Sequence, residues 1–587
     1  MLTSEDGPAA ETAVAEPDIR PAANGRPAEA FTILVLLAAA FVARRHVLPH
    51  DGLFGDDAWQ AFGATKGSWR NFMTVGFSAP GFTGALMVWH RLVSGPEAMA
   101  DLAFTAGVIT PAVLYVALRR FGFVWSISVL LSAALVSERF NIIYSGRVKS
   151  YVIDALIVVG IVALLPRLTR VHFGRRAVGL WVVGSFVVGF FSPFALIAAG
   201  VAGVMLLLCP NDDRAMRGLA VAGQFTLSVG LSLAVRRTYN VRALQIWWKV
   251  KQQGFIGFDA NPLGLVSSVV THLRRVAAIF SGGPTWWAAL ILVAALVALI
   301  ADAFVRPRPV WAVRARYLLL LLAAAVAASI ISVLPFGPTA AGGGARLSVW
   351  LVPIFAIGAA SALRYLRGTL TDRHALRVAF DVAAVAVSVL LVVGASGGGP
   401  PYPAAGSRSA TRFIETALKP NDAVFIEVSA GQYPYAVASR LDPVVEPTPR
   451  KKIAFVPEFR DRRIHYIGFT GRLGETLVLT AASDAHHKSD IPRAVGRADR
   501  IFLYFEDLST IPARGPDTFA ALLRRLGFRL DRDERFGHWQ VIVWERSRPH
   551  DLSPTSPTPF AGSPTALSAP DATPNAAVLS QRSPTNS

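Results

Sequence analysis

Long apolar stretches recur along the first two thirds of the chain and alternate with short polar segments. A first run covers 31–42 and its flanks, and no small-residue cleavage site follows it, so we expect it to be retained. Further runs lie at about 97–118, 123–140, 148–166, 177–191, 193–209, 217–235, 285–304, 316–334, 346–365 and 378–396. Because about 20 apolar residues cross a bilayer as a helix, the pattern predicts about 11 transmembrane helices between 29 and 396.

The polar segments between these runs alternate in positive charge. One set is rich in arginine and contains Arg119, Arg120, Arg167, Arg170, Arg175, Arg176, Arg306, Arg308, Arg314, Arg316, Arg364, Arg367, Arg373 and Arg377. The alternate segments, near 192 and over 335–345, carry almost none. Since Lys and Arg are retained on the cytoplasmic side, we predict a cytoplasmic N-terminus and an extracytoplasmic chain after Gly397, although Arg44 and Arg45 run against this orientation.

The segment 81–94 is apolar but too short to span. At 1.5 Å per residue it reaches only about 21 Å, against about 30 Å for the hydrocarbon core. We predict an interfacial helix in the first outer loop, with His90 and Arg91 at its polar end.

The regions outside the predicted membrane domain differ in composition. Residues 1–28 lack an apolar core and predict a disordered cytoplasmic segment, and the Pro/Ser/Thr-rich residues 549–587 predict a second disordered tail. Between them, 397–410 reads as a Gly/Pro linker, and 411–548 as a small extracytoplasmic α/β domain. Its predicted elements are helices at 411–418 and 516–526 and strands at 423–428, 501–505 and 540–544.

Composition narrows the function. Apolar residues make up 53% of the chain, charged residues 17%, and mean hydropathy is +0.44, which disfavours a cytosolic enzyme. The net charge of +19 resides largely in loop arginines, so it indicates membrane topology and not nucleic-acid binding. A single cysteine, Cys209, excludes an internal disulfide, and no P-loop or His-Glu-x-x-His motif is present. The pair His486–His487 has no evident third metal ligand nearby.

The first two outer loops hold most of the candidate chemistry. Asp56 and Asp57 are adjacent carboxylates, so one can face a site while the other makes a structural bond; the alternative is a simple helix cap. The second loop contains Tyr144, Arg147, Lys149 and Tyr151, followed by Asp154 inside the next span. A carboxylate inside a membrane helix suggests a functional site, with Lys149 as its candidate partner, whereas the cations and tyrosines also fit ordinary interfacial residues.

Two later loops add cations and aromatic residues. The segment 236–284 reads as a third outer loop with Trp247, Trp248 and Lys249, which suit either a sugar-stacking surface or a membrane anchor. Arg346 is the lone cation of an otherwise uncharged loop before a span that contains Pro353. It suits either phosphate binding or snorkelling at a helix start.

These motifs together resemble the GT-C superfamily of membrane glycosyltransferases, in the family-39-like branch related to protein O-mannosyltransferases and aminoarabinose transferases. The resemblance covers about 29–396 and rests on GDDAW at 55–59, APGF at 79–82, YSGRVKSYVID at 144–154, and Arg346 with Pro353. The chain departs from the family pattern at four positions. Relatives often have Glu at the position of Asp57 and His or Lys at that of Ala79. They often have an acidic residue at the position of Arg147 and Pro at that of Ser150.

The resemblance implies inverting transfer of a sugar from a polyprenyl-phosphate donor to an extracytoplasmic glycan, lipid or protein acceptor at a bacterial plasma membrane. It implies Asp56 as the general base with Asp57 as second candidate, and phosphate binding by Lys149, Arg346 and Arg147. Acceptor binding would then fall to Tyr144, Tyr151, Asp154, Trp247, Trp248 and Lys249. The resemblance leaves use of a divalent cation open, since the superfamily contains both metal-dependent and metal-independent members.

Three other functions compete with this interpretation. A secondary transporter would place its binding groups near the bilayer midplane, on inverted repeats. A ligase or polymerase would take a pyrophosphate-linked donor, and an inactive GT-C-like scaffold would explain the departures at Arg147 and Ser150. Convergence of Asp56, Lys149 and Arg346 at one face would favour the transferase.

Overall fold

The structure is a computed structural model that describes most of the helical region and the core of the C-terminal domain. The described residues are 26–66, 79–170, 172–208, 213–238, 249, 254–256, 261–281, 285–305, 309–336, 343–370, 373–396, 406–427, 432–440, 443–444, 458–459, 461, 463–467, 495–506 and 514–547. The segments predicted to be disordered fall mostly outside this range, as do Trp247, Trp248 and the His486–His487 pair.

The first part of the chain is a bundle of α-helices. Its members are α1 (Arg26–Arg44), α2 (Gly55–Lys66), α3 (Pro80–Leu92), α4 (Asp101–Arg120), α5 (Trp125–Ser137), α6 (Arg139–Ser145), α7 (Tyr151–Arg170), α8 (Arg175–Phe191), α9 (Pro193–Leu208), α10 (Arg214–Thr238), α11 (Pro262–Ser281), α12 (Thr285–Ile300), α13 (Pro309–Ile330), α14 (Val352–Gly368) and α15 (His374–Ser396). Within the described residues, seven helices are long and apolar enough to cross a membrane, or eight if α5 and α6 form one bent span. The chain is therefore a multi-pass membrane protein.

Helices α5 and α6 meet at a bend of 56°. Glu138 lies at the bend, and its carboxylate accepts hydrogen bonds from the backbone N–H groups of Phe140 and Asn141 at 2.8 and 2.6 Å. This cap satisfies the free amides at the start of α6. Buried Arg44 donates to the carbonyl oxygens of Leu135 and Val136, both at 3.2 Å, so it anchors α1 to the end of α5.

One sequence expectation about the later helices is wrong. The second half of the predicted loop 236–284 forms α11, which we missed because His272, Arg274 and Arg275 interrupt its apolar run. The run predicted over 346–365 is confirmed as a candidate span, Leu347–Gly368, which starts within a 3-10 helix, Gly343–Leu351, and becomes α-helical at Val352. Pro353 explains the switch, since proline favours the first turn of an α-helix.

Helix α3 is 13 residues long, and it is not one of the candidate spans. Its length is about 20 Å, as expected for the predicted interfacial helix. One side packs against α2, where Gln60 Nε2 donates to Thr83 Oγ1 at 2.9 Å. Phe82 and Leu86 of α3 are also fully buried, so α3 holds α2 in position.

The C-terminal part is an α/β unit. Its helices are α16 (Ser407–Ala417), α17 (Gln432–Ala438) and α18 (Arg514–Arg525), and its strands are β1 (Ala423–Glu427), β2 (Pro443–Val444), β3 (Glu458–Phe459), β4 (Ile464–Ile467), β5 (Arg500–Glu506), β6 (Phe528–Phe536) and β7 (Trp539–Arg546). The main sheet has the order β4-β1-β5-β7-β6, with β1 parallel to β4 and β5, and β7 antiparallel to its neighbours. All the strands and helices predicted for this region are confirmed, and β2, β3, β4 and β6 are additional.

The C-terminal unit is docked onto the polypeptide around α2. The backbone N–H of Gly406 donates to the carbonyl of Asp51 at 2.8 Å, and Ser409 Oγ donates to the Asp51 carboxylate at 3.0 Å. Arg408 forms an ion pair with Glu97. Buried residues of α17 and α2, including Ala436 and Phe62, also share one apolar cluster. Polar bonds and apolar packing thus join the two parts at α2.

Gly52 is required at this junction. Its φ of +101° disfavours other residues, and a Cβ built there would lie 1.8 Å from Ser407 Oγ. We expect Gly52→Ala to lower the free energy of unfolding by more than about 1 kcal/mol, measured by denaturation in detergent. Gly84→Ala in α3 is the control, because its Cβ would meet nothing within 4 Å. Equal stability of the two variants would contradict the assigned role of Gly52.

Candidate active site at the end of the membrane helices

Helix α2 carries both adjacent carboxylates in its first turn. The backbone N–H groups of Asp57 and Ala58 donate to the carbonyl of Phe54 at 2.9 and 2.7 Å, so the helix starts just before the acidic pair. Successive side chains of a helix point about 100° apart. Asp57 is accordingly fully buried, whereas Asp56 is half-buried. The two carboxylates therefore occupy different environments.

Asp57 is engaged in a buried ion pair. Arg147 Nε donates to Asp57 Oδ2, and the guanidinium lies over the ring of Phe54, 4.6 Å from its centroid. Arg147 is only 9% exposed. This pair fastens α2 to the segment that follows α6, and it leaves Asp56 as the more accessible carboxylate.

The segment after α6 is held by a close backbone approach. A Cβ at Gly146 would lie 1.9 Å from the carbonyl oxygen of Val47, so glycine alone fits there without a shift. The N–H of Lys149 donates to the carbonyl of Arg147 at 2.8 Å, and Lys149 Nζ lies 6.0 Å from the ring centroid of Trp59 in α2. The acidic turn of α2 and the predicted cationic loop therefore converge.

Tyr144 and Tyr151 flank this cationic segment. Their rings pack edge to face, with centroids 5.4 Å apart, and Tyr144 also stacks on Phe140 at 6.4 Å. Such aromatic contacts fix the end of α6 against the start of α7. Both tyrosines are half-buried beside Lys149 in sequence.

Asp154 lies one turn into α7 and is 1% exposed. Neither of its carboxylate oxygens has a hydrogen-bond partner among the described residues, although the hydroxyls of Ser150 and Ser192 are its polar neighbours. The predicted pairing with Lys149 is wrong. Lys149 precedes the first residue of α7, so helical spacing does not apply to it, and its ammonium group is directed at Trp59.

The structure describes only part of the remaining candidate residues. Arg346 belongs to the 3-10 helix Gly343–Leu351, which packs against α6 and α7. Lys249 is exposed. Trp247 and Trp248 fall outside the described residues. Asp56, Asp57, Arg147 and Lys149 are thus brought together, and Arg346 belongs to an element that packs against α6 and α7.

An apolar groove opens on the other side of α6. It has a volume of about 820 Å³ and is lined mainly by aliphatic residues of α5, α12, α14 and α15. Glu138, Arg139 and Ile142 form its end at α6, the helix that leads directly to Arg147. The apolar groove and the polar site are therefore only one short helix apart.

Two carboxylates of the C-terminal unit, Glu427 and Glu506, were missed by sequence analysis. Glu427 is the last residue of β1 and Glu506 that of β5, and they are 2% and 5% exposed. Burial raises the pKa of Glu506 to about 7; repulsion from Glu427 and Asp56 adds to this rise, and the charge of Arg147 opposes it. The signal was available, since neighbouring parallel strands that both end in Glu bring the two side chains to one sheet edge.

No group of three or more His, Cys, Asp or Glu side chains in the described part of the chain is arranged to hold a metal ion. The site is instead a cluster of carboxylates with Arg147 and Lys149 as the cations between or beside them. Such a cluster can accept a proton at a carboxylate and attract an anionic group at a cation.

No family model matches the chain, and no curated protein matches it by sequence. Solved structures do match it in fold. The crystal structure of ArnT from Cupriavidus metallidurans bound to undecaprenyl phosphate aligns with a TM-score of 0.50 and 13% identity, over 89% of this chain and 98% of that chain. The apo crystal structure of the same ArnT gives 0.49 at the same identity and coverage. In agreement with the motif resemblance, the chain shares the fold of that ArnT crystal structure.

Proposed function

We propose that the protein is a membrane glycosyltransferase that moves a sugar from a polyprenyl-phosphate donor to a hydroxyl-bearing acceptor. The observation that carries the proposal is the convergence of Asp56, Asp57, Arg147 and Lys149 at one end of the membrane helices. ArnT, which has the same fold, was crystallised with undecaprenyl phosphate, and we infer a donor of the same chemical class here. A midplane transport site is less consistent with this arrangement.

Asp56 is the proposed general base because it is the accessible member of the pair. Its carboxylate takes the proton of the acceptor hydroxyl as that oxygen forms a bond to the anomeric carbon. The bond from that carbon to the phosphate oxygen breaks on the opposite face, and the phosphate leaves with the electron pair, so the configuration inverts. Asp57 stays second candidate, since its bond to Arg147 already occupies one oxygen.

Cations beside the base are proposed to bind the donor phosphate. Lys149 is half-buried with its ammonium over Trp59, and Arg346 belongs to the adjacent 3-10 helix. Arg147 adds positive charge from its place between Asp57 and Phe54. The apolar groove at Arg139 suits the prenyl chain, because burial of a hydrocarbon chain there removes it from water.

The acceptor is proposed to contact the aromatic and polar residues around this site. Tyr144 and Tyr151 present half-buried rings, and Asp154 carries a buried carboxylate at the start of α7. The segment with Trp247, Trp248 and Lys249 belongs to the same proposed role. The acceptor is a glycan, lipid or protein that presents a hydroxyl group.

The direct test measures sugar transfer by the purified full-length protein in lipid vesicles. Donors are a panel of undecaprenyl phosphate-linked sugars, the matching undecaprenyl pyrophosphate sugars and nucleotide sugars, each with Mg²⁺ and with EDTA. Release of undecaprenyl phosphate from monophosphate donors alone is expected. Turnover restricted to pyrophosphate donors would indicate the ligase or polymerase alternative, and absence of any donor turnover would overturn the proposal.

We propose a bacterial plasma-membrane location with the N-terminus in the cytoplasm and the C-terminal unit outside, because the arginine-rich loops then face the cytoplasm. A periplasm-dependent phosphatase reporter fused after Gly397 is expected to be active, whereas the same reporter fused after Arg120 is expected to be inactive. The reverse pattern would contradict the orientation.

A further inference from the structure

Two neighbouring strands of the C-terminal sheet, β1 and β5, each end in an acidic residue. Strands β1 and β5 are parallel neighbours, with Ile426 opposite Tyr504, so their carboxyl ends lie side by side. Glu427 ends one strand and Glu506 ends the other. In open α/β sheets, ligands bind beyond the carboxyl ends of such strands.

Glu506 is buried without its full set of hydrogen bonds. It is 5% exposed, and its Oε1 has no hydrogen-bond partner among the described residues. A buried carboxylate oxygen without a partner is costly, so its presence calls for a group that approaches it in function.

Glu506 lies within electrostatic range of the candidate active site. Its electrostatic neighbours are Glu427 of the same sheet edge and, across the junction, Arg147 and Asp56. The junction is well packed there, since Tyr433 of α17 lies against Trp59 of α2 with ring centroids 5.8 Å apart. The C-terminal unit thus brings a carboxylate to the residue proposed as the base.

We propose that Glu506 is an acceptor-binding residue, whose free Oε1 accepts a hydrogen bond from a second hydroxyl or an amino group of the acceptor. The inference rests on the proposed function and deepens it. The carboxylates Asp56, Asp57, Glu427 and Glu506 outnumber the cations Arg147 and Lys149 in this cluster, so the subsite disfavours negative charge. The acceptor is therefore a carbohydrate that carries neighbouring hydroxyl or amino groups and no anionic group next to the accepting hydroxyl.

The test compares three soluble acceptor probes with the protein in vesicles: octyl glucoside, the corresponding amino sugar, and the corresponding glucuronide. The wild-type protein is expected to use the neutral or amino probe in preference to the anionic one. Glu506→Gln keeps the size of the side chain and removes its charge. It is expected to raise the KM for the preferred probe about 10-fold or more, with the donor KM and the rate of donor hydrolysis by water changed less than about twofold.

Three controls make the result decisive. Asp531→Asn, on exposed strand β6 of the same unit, is expected to leave every constant unchanged. Glu506→Asp keeps the charge and is expected to lie between wild type and Glu506→Gln. Equal thermal unfolding of these proteins excludes a loss of folding.

The outcomes separate this inference from the proposed function. Donor turnover by the wild-type protein with an unchanged acceptor KM in Glu506→Gln overturns the inference alone. Preference for the anionic probe, or transfer to none of the three while the donor is hydrolysed, also overturns it. Absence of donor turnover in the wild-type protein overturns the proposed function itself.

Discussion

Asp56→Asn is expected to lower the rate of sugar transfer by a factor of about 10²–10⁴, the range that a positioned general base contributes. The amide has nearly the shape of the carboxylate but accepts no proton at neutral pH. Asp56 is half-buried, and the buried ion pair of Arg147 is made with Asp57, so Asp56→Asn keeps both members of that pair. The measurement is kcat for release of undecaprenyl phosphate, with donor KM expected to change little.

The control for this prediction is Asp531→Asn, which alters an exposed carboxylate far from α2 in sequence. Both variants are expected to insert into membranes and to unfold at the same temperature as the wild-type protein. Full activity in Asp56→Asn would remove Asp56 from the reaction. If activity were then lost in Asp57→Asn with stability retained, the base would be reassigned to Asp57.

The division of labour within the acidic pair was accessible from sequence. Helical geometry alone requires adjacent side chains to face different surroundings, and the structure gives Asp57 the structural bond. The partner of Asp57 could not be predicted from the sequence. Arg147 occupies a position where relatives often have an acidic residue, and only the fold places it against Asp57.

The limits of sequence reasoning follow from long-range contacts. Asp154 was expected to pair with Lys149 at helical spacing. Helix α7 begins at Tyr151, so Asp154 lies in the helix and Lys149 precedes it, and the helical spacing does not apply to the two side chains. Glu506 was overlooked because its relevance depends on the docking of a separate unit onto α2. Local patterns predicted a strand over 423–428, which contains Glu427, and one over 501–505, which stops one residue before Glu506. Hydropathy and periodicity contain no information about the surface that those strand ends approach.

Amphipathic helices were the other source of error. Helix α11 contains His272, Arg274 and Arg275, so a search for uninterrupted apolar runs treats it as loop. At Glu138 the error was the opposite one: the sequence predicted a single span over 123–140 where the structure has two helices. A single carboxylate hardly changes the mean hydropathy of the residues around it, so the break was not visible. In that case the capping bonds of Glu138, and not hydropathy, determine where α5 ends.

The buried pair of Asp57 and Arg147 is expected to be the largest single electrostatic contribution to stability near the site. In Arg147→Gln, Asp57 keeps its buried position without its cation, and the expected loss in the free energy of unfolding is about 3–5 kcal/mol. The double variant Asp57→Asn/Arg147→Gln replaces the ions by two amides that can bond to each other. It is expected to be more stable than the sum of the single losses implies, with a coupling energy of about 1–3 kcal/mol.

The measurement is denaturation of all four proteins in the same detergent, analysed as a double-mutant cycle. A matched cycle on Asp531 and Arg532 provides the comparison, because that pair is exposed, with its ions 3.5 Å apart. Exposed pairs contribute at most about 1 kcal/mol, so its coupling is expected to be clearly smaller. Equal coupling in the two cycles would mean that the contact between α2 and the segment after α6 does not depend on the ion pair, and that Arg147 is available for the donor phosphate instead.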